Sequence, residues 1–254
     1  MADVWAPNLG RLYPRPAGDG FTLYGVCGRI VVASPVDVLA GFFGVSDVVA
    51  DPRPASWNVA PGAEVLAVAG SRGGRRLGTM RWGLVPSWSP DPAAGPRPIN
   101  ARVETLLERA MFAESLARRR CLVVVDGFYE WRRPPGGPKQ AYVLDLADGS
   151  AAPFALAGIW DRHDGEVSCA VVTAPADDGL TWLHDRMPVR LGPDRWDAWL
   201  DPLNHDVDAL LRLLEATPEV ALRARPVGGR VNNARNDGPD LVAVIDGEAQ
   251  PQLL

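Results

Sequence analysis

Lysine is nearly absent: Lys139 is the only one among 26 basic residues. Arginine carries the rest, in a chain also rich in Ala, Gly and Pro, a bias that points to a GC-rich genome. Cysteine is scarce too. Cys27, Cys121 and Cys169 form an odd set with no paired spacing, which excludes a disulfide scaffold and a Cys-x-x-Cys metal site. A reducing compartment fits that usage, and a cytoplasmic protein is expected. No apolar run approaches about 18 residues, so no transmembrane helix and no membrane partner is expected. Residues 1–26 contain Pro7, Pro14 and Pro16 and lack the continuous apolar stretch of a signal peptide. No phosphate-binding glycine loop or metal-ligand cluster is present, so no cofactor and no metal are implied. An excess of basic charge is also missing. With 26 basic and 31 acidic residues the net charge is −5, and any nucleic-acid partner would need a local basic patch.

What is there suits a globular fold. The chain has 254 residues, 47% of them hydrophobic, enough for a core without staples. Residues 1–26 read as irregular. A strand is expected over 28–32 and a helix from Pro35 to Phe43, with Ser34 as N-cap and Gly44 at its end. Strands are expected at 64–69 and 77–84 around Arg72-Gly73-Gly74-Arg75, and a Pro-rich loop at 89–98. The stripe Leu106, Leu107, Ala110, Met111, Leu116 predicts a helix over 104–116. Strands follow at 121–125, 141–146, 154–160 and 167–173, helices at 194–200 and 207–216, and a strand at 224–227. This order predicts an α+β class with a mainly antiparallel sheet in one domain.

Six short segments concentrate Trp, Asn, Arg and acid at loop or strand-end positions. They are Val26-Cys27-Gly28-Arg29, Trp57-Asn58-Val59-Ala60-Pro61-Gly62 and Arg81-Trp82-Gly83-Leu84-Val85-Pro86-Ser87-Trp88. Ile99-Asn100-Ala101-Arg102-Val103-Glu104-Thr105, Asp126-Gly127-Phe128-Tyr129-Glu130-Trp131 and Leu183-His184-Asp185-Arg186-Met187-Pro188 complete the set. On the residues alone, Cys27 reads as a small buried strand residue. Glu130, among aromatics, reads as a carboxyl with a disfavoured charge or as a solvent-facing strand residue. His184 reads as an acid/base or a capping histidine, and Asn100 as a donor–acceptor group or a turn residue.

In order and composition the six segments resemble the SRAP (SOS response-associated peptidase) family of abasic-site processing proteins, from Cys27 to about Gly238. The resemblance implies an α+β fold with a barrel-like antiparallel core, flanked by helices. It implies capture of abasic sites in single-stranded DNA, as a thiazolidine, by an N-terminal cysteine, with weak lyase activity. By that resemblance Cys27, Asn100, Glu130 and His184 are catalytic. Glu130 is the acid/base of ring closure and reversal, and His184 protonates the deoxyribose ring oxygen. Arg29, Asn58, Pro61, Arg81, Trp82, Trp88, Arg102 and Arg186 are expected to hold DNA or shape its pocket, with Arg190 beside them. One of Trp82 and Trp88 is expected to be core. The resemblance suits a monomer in the cytoplasm, associated with the nucleoid.

The chain departs from the family at its start, because Cys27 follows Val26 rather than an initiator methionine. Either residues 1–26 are a cleaved propeptide or Val26 marks a GTG start codon; the second is preferred for a GC-rich genome. The expected layout is an extension over 1–26, the domain over 27–240 and a tail over 241–254. Three rival functions stand beside DNA capture. They are a thiol peptidase using Cys27 and His184, an N-terminal-nucleophile amidotransferase and a non-catalytic single-strand binder.

Overall fold

The computed structural model describes residues 26–91, 95–134, 136–215 and 220–245. The expected extension, apart from Val26, and most of the expected tail lie outside the described residues. The first half contains β1 (Ile30–Val32), α1 (Val36–Phe42), β2 (Val45–Val48), β3 (Ser56–Val59), β4 (Glu64–Ser71), β5 (Gly74–Trp82) and β6 (Asn100–Arg102). Next come α2 (Ala110–Arg118), β7 (Arg120–Val125), β8 (Gly127–Arg132), β9 (Gln140–Leu146), β10 (Phe154–His163) and β11 (Glu166–Pro175). The chain then forms β12 (Arg186–Pro188), β13 (Arg190–Leu191), α3 (Pro193–Leu200), α4 (Val207–Glu215) and β14 (Leu222–Val227).

The strands build two sheets. The smaller runs β14-β9-β8-β1-β3 and is antiparallel throughout. The larger runs β12-β11-β10-β7-β4-β5-β2, with β6 beside β11 and β13 beside β10. Its β11 also pairs with β5, through Ser168 opposite Arg81 and Cys169 opposite Trp82. That pairing closes β5, β4, β7, β10 and β11 into a ring, so the α+β, barrel-like expectation holds. The closing pairing is parallel, as are β11–β6 and β2–β5; the other pairings are antiparallel.

The main core lies inside the ring and between the sheets. Strand β7 is buried at every position because it crosses the middle of this core. The smaller sheet alternates with period two. Phe128, Tyr142 and Leu144 join the main core. Tyr129, Ala141 and Val143 face a second cluster with Val31, Val227 and Val231. By the same alternation Glu130, paired with Tyr142 across β8–β9, points to the main-core side. A close approach fixes Gly70: a Cβ there would lie 2.0 Å from the Leu200 carbonyl oxygen, so α3 ends directly on β4.

Several local expectations change. Ser34 does not cap α1; Pro35 stands at that position with no side-chain cap. The Ser34 hydroxyl instead donates to Asp126, whose carboxylate also accepts the N–H groups of Ala33 (2.6 Å) and Ser34 (2.8 Å). The helix expected over 104–116 divides into a 3-10 turn at Val103–Thr105 and α2. Arg120, after α2, is buried, and its guanidinium donates to the carbonyls of Leu116 (2.9 Å), Trp199 (2.7 Å) and Asp201 (2.5 Å). The fold also continues past 240, because Leu241 is buried and the Ile245 N–H bonds the Pro226 carbonyl.

Candidate functional site

The site forms where β1 enters the small sheet. Ile30 pairs with Phe128 and Val31 with Gly127, and the Tyr129 N–H donates to the Arg29 carbonyl at 2.9 Å. Cys27 precedes this ladder at φ +48, a left-handed conformation uncommon for a residue with a side chain. The turn carries its backbone nitrogen to Glu130, and its N–H donates to Oε1 at 2.5 Å. Cys27 is fully buried. Burial pushes its thiol well above the ordinary range, and the charge of Glu130 pushes the same way.

Glu130 is 2% exposed. Desolvation raises its carboxyl to about 8, against the weaker pull of the Cys27 and Trp131 N–H groups. The charge of Asp185 adds to the rise. A carboxyl set there exchanges protons near neutral pH, which a surface glutamate cannot do.

Asn100 arrives from another direction, on β6 opposite Val171 of β11. Its Nδ2 donates to the Val26 carbonyl oxygen. Its Oδ1 is buried and without a partner among the described residues. A buried empty acceptor costs stability, so the position suits an incoming N–H or O–H donor. Both ends of the Val26–Cys27 peptide are therefore held by catalytic candidates, the carbonyl by Asn100 and the nitrogen by Glu130.

His184 lies in the turn before β12. The ring of Tyr142, the cross-strand neighbour of Glu130, meets the ring of Trp182 at 5.2 Å and 83°. This contact ties the segment before His184 to β9, and the charge of Asp185 is felt at the Glu130 carboxyl. The His184 Nδ1 lies 3.1 Å from the Arg186 backbone nitrogen and 2.8 Å from Asp185 Oδ1. The Arg186 guanidinium donates to both Glu104 oxygens at 2.8 and 2.9 Å and to the Thr173 carbonyl. That fork holds the Glu104 carboxyl below its ordinary range.

The expected DNA contacts sort by exposure. Trp82 is 1% exposed and donates its indole N–H to the Ile99 carbonyl, so it is the core member of its pair. Trp88 is 59% exposed. Asn58 is buried, and its Nδ2 donates to the carbonyls of Asn233 (3.1 Å) and Asn236 (2.9 Å). Arg29 donates to Asn58 Oδ1 and to the Val231 carbonyl, both at 2.8 Å. These two side chains thus clamp the turn at 229–236 rather than offering free donors to DNA. Pro61 is half-buried in the turn between β3 and β4, beside Gly62 at φ +82. Arg81 pairs with Glu166 and donates to the Gly62 carbonyl. Arg190 is fully buried against Asp177 and is excluded from any surface contact. Arg102 is exposed at the end of β6.

Sequence reasoning assigned no role to Glu104 or Asp185, although both stand inside the quoted segments. It also passed over Lys139, whose ammonium sits 4.7 Å over the Trp131 ring. Among the described residues no group of three or more His, Cys, Asp or Glu could hold a metal ion. No helix there is long and apolar enough to cross a membrane.

The model of the family described as SOS response associated peptidase (SRAP) matches residues 26–234. The "Abasic site processing protein YoqW" of Bacillus subtilis (strain 168) is 34% identical over 223 residues, covering 85% of this chain and 99% of that protein. The "Abasic site processing protein YedK" of Escherichia coli (strain K12) is 32% identical over 203 residues, with 78% and 89% covered. The "Abasic site processing protein HMCES" of Xenopus tropicalis is 34% identical over 197 residues, with 67% and 58% covered. An X-ray structure of a Bacteroides thetaiotaomicron protein shares the fold at TM-score 0.71 and 22% identity, covering 86% of this chain and all of that one. The X-ray structure of a phage-related protein from Bordetella bronchiseptica aligns at TM-score 0.63 and 30% identity, with 79% and 94% covered. With the family model spanning nearly all of the described residues, the chain belongs to the SRAP family.

Proposed function

We propose that this protein captures abasic sites in single-stranded DNA as a thiazolidine formed by Cys27, once Cys27 is the first residue of the chain. The observation that carries the reading is the buried Glu130 carboxyl, 2.5 Å from the Cys27 nitrogen and raised to about 8. In a processed chain that nitrogen is an α-amine, with a reference pKa of about 7.7–8.0. The carboxyl beside it is placed to take the amine proton and to return it.

The chemistry balances without a redox partner. The amine adds to the C1′ aldehyde of the opened sugar, water leaves and an imine forms. The Cys27 sulfur then bonds the imine carbon, and the thiol proton ends on nitrogen through Glu130. His184 supplies the proton that the ring oxygen takes as the sugar opens. The empty Asn100 Oδ1 accepts an N–H of the amine. Loss of the C2′ proton at the imine stage gives strand cleavage, a weak lyase side reaction. Trp88, Arg102 and Arg186 hold the strand, the last by exchanging Glu104 for a phosphate. The protein acts as a monomer, and the reading suits a cytoplasmic protein at the nucleoid.

Protein beginning at Cys27, mixed with an abasic single strand, should give a denaturation-resistant adduct. Cys27→Ala should give none, and equal adduct yields would overturn the assignment.

The clamped Val26–Cys27 peptide favours a second reading, self-cleavage. Cys27 Sγ adds to the Val26 carbonyl carbon, with Asn100 on the carbonyl oxygen. The thiol proton passes through Glu130 to the leaving nitrogen, and the C–N bond breaks. Water then hydrolyses the thioester, the acyl carbon taking hydroxyl and the sulfur a proton. Intact mass of the incubated full chain should show loss of residues 1–26, abolished in Cys27→Ala.

A further inference from the structure

The His184 Nδ1 has two partners with opposite demands. The Arg186 backbone N–H, 3.1 Å away, needs Nδ1 as an acceptor. The Asp185 carboxylate, 2.8 Å away, needs Nδ1 as a donor. One ring nitrogen cannot be both at once. The contacts therefore define two states of one side chain. In the first, the ring is neutral, Nδ1 takes the Arg186 N–H and Nε2 carries the proton. In the second, Nδ1–H donates to Asp185.

We propose that Asp185 is the positioning residue that converts His184 from a passive hydrogen-bond donor into a working acid. The argument rests on the capture reaction described above. In the first state, giving up the Nε2 proton would leave an imidazolate, which is inaccessible in water. In the second, with both nitrogens protonated, Nε2 releases its proton and leaves a neutral ring whose Nδ1–H stays on Asp185. The added proton enters from solvent. It leaves at Nε2 toward the sugar ring oxygen, so the count closes over one turnover. In reversal the same nitrogen takes the proton back while Asp185 holds the other.

The surroundings leave Asp185 in charge of this choice. The one guanidinium of the turn, on Arg186, is committed to Glu104 and the Thr173 carbonyl, not to Asp185. Glu130 is a buried acid whose carboxyl feels the Asp185 charge as a repulsion that favours its protonated form. Asp185 is 86% exposed, so its hold on the ring is modest. A factor of about three in the Nδ1–H population is the expected scale.

The test uses the full-length protein labelled with nitrogen-15 at histidine. Only His163, His184 and His205 then report, and His184→Gln assigns the signal. In Asp185→Ala the share of His184 carrying a proton at Nδ1 should fall about threefold. Asp185→Glu should restore it, with His163 and His205 unmoved. In protein beginning at Cys27 the adduct rate should fall by the same factor, while affinity for a strand carrying a tetrahydrofuran analogue stays unchanged. An unchanged Nδ1 population in Asp185→Ala would overturn the proposal. So would a loss of analogue affinity that accounts for the whole rate effect. If protein beginning at Cys27 with Asp185 intact forms no adduct at all, the capture reading fails, and the nitrogen signals still judge the switch.

Discussion

Glu130 pays for its position in stability, and the sign of that cost can be worked out. Its carboxyl titrates near 8 in the fold and near the ordinary carboxylate range when unfolded. Between those values the folded state holds one more proton than the unfolded state, so stability falls as pH rises through this window. The full cost, on the order of a few kcal/mol, is present above about pH 8. Glu130→Gln keeps the acceptor for the Cys27 N–H and removes the titration. It should melt higher than the parent at pH 9 and close to it at pH 5, as read by thermal unfolding across pH. A constant offset at both pH values would remove the buried-charge account. The two tryptophans of one segment separate at the same scale. Trp82→Ala empties a core site and should cost about 3–5 kcal/mol of stability. Trp88→Ala should leave the melt unchanged and weaken single-strand binding about tenfold, the loss of one stacked base. Binding isotherms and denaturant melts of the two variants check the split.

At the scale of elements, what the sequence shows depends on how far the partners lie along the chain. The β4–β5 hairpin was legible from local signals: a short apolar run at Val65–Ala69 and the turn at Gly73 and Gly74. The catalytic candidates were legible only as a set of segments. The aromatics around Glu130 left a buried and a solvent-facing reading open, because burial there depends on its partner strand β9, where Tyr142 stands opposite. The division of the 104–116 helix was not legible either, since Leu106 is equally buried from a 3-10 turn. Arg29 and Asn58 mark the limit. Their partners lie more than 170 positions away, so no spacing rule could reveal a clamp. The clamp has a measurable consequence. Asn58→Ala leaves the Asn233 and Asn236 carbonyls without their side-chain donor and takes one acceptor from Arg29. It should destabilise by about 1–3 kcal/mol. Hydrogen exchange should rise first at residues 229–236. Unchanged exchange there would mean the turn is held by other contacts.

For the whole molecule, charge is the open constraint. On the proposed reading a chain at net −5 holds a polyanion, yet many of its arginines are already committed. Arg190 and Arg120 are buried, Arg81 faces Glu166, Arg29 holds a turn, and Arg75 pairs with Asp197. The ring and the two sheets consume guanidinium groups as structural donors, which a lysine could do less well because it lacks the planar fork. Of the cations in or beside the site segments, Arg102, Lys139, and Arg186 after it leaves Glu104 remain for phosphates, while Arg72, Arg109, Arg118, Arg133, Arg212 and Arg235 are exposed elsewhere along the described chain. Binding single strands releases counterions in proportion to the phosphates neutralised, with a slope of about −0.7 per phosphate. Two or three contacts give a slope of about −1.4 to −2.1 in log affinity against log salt. Cys27→Ala isolates this non-covalent step, and fluorescence titrations from low to moderate salt measure it. Arg102→Ala should lower the slope by about one phosphate's worth and weaken binding to all sequences alike. A slope steeper than about −4 would mean that DNA follows a basic surface other than the one around the site. A slope near zero with retained affinity would mean that stacking on Trp88, not charge, holds the strand.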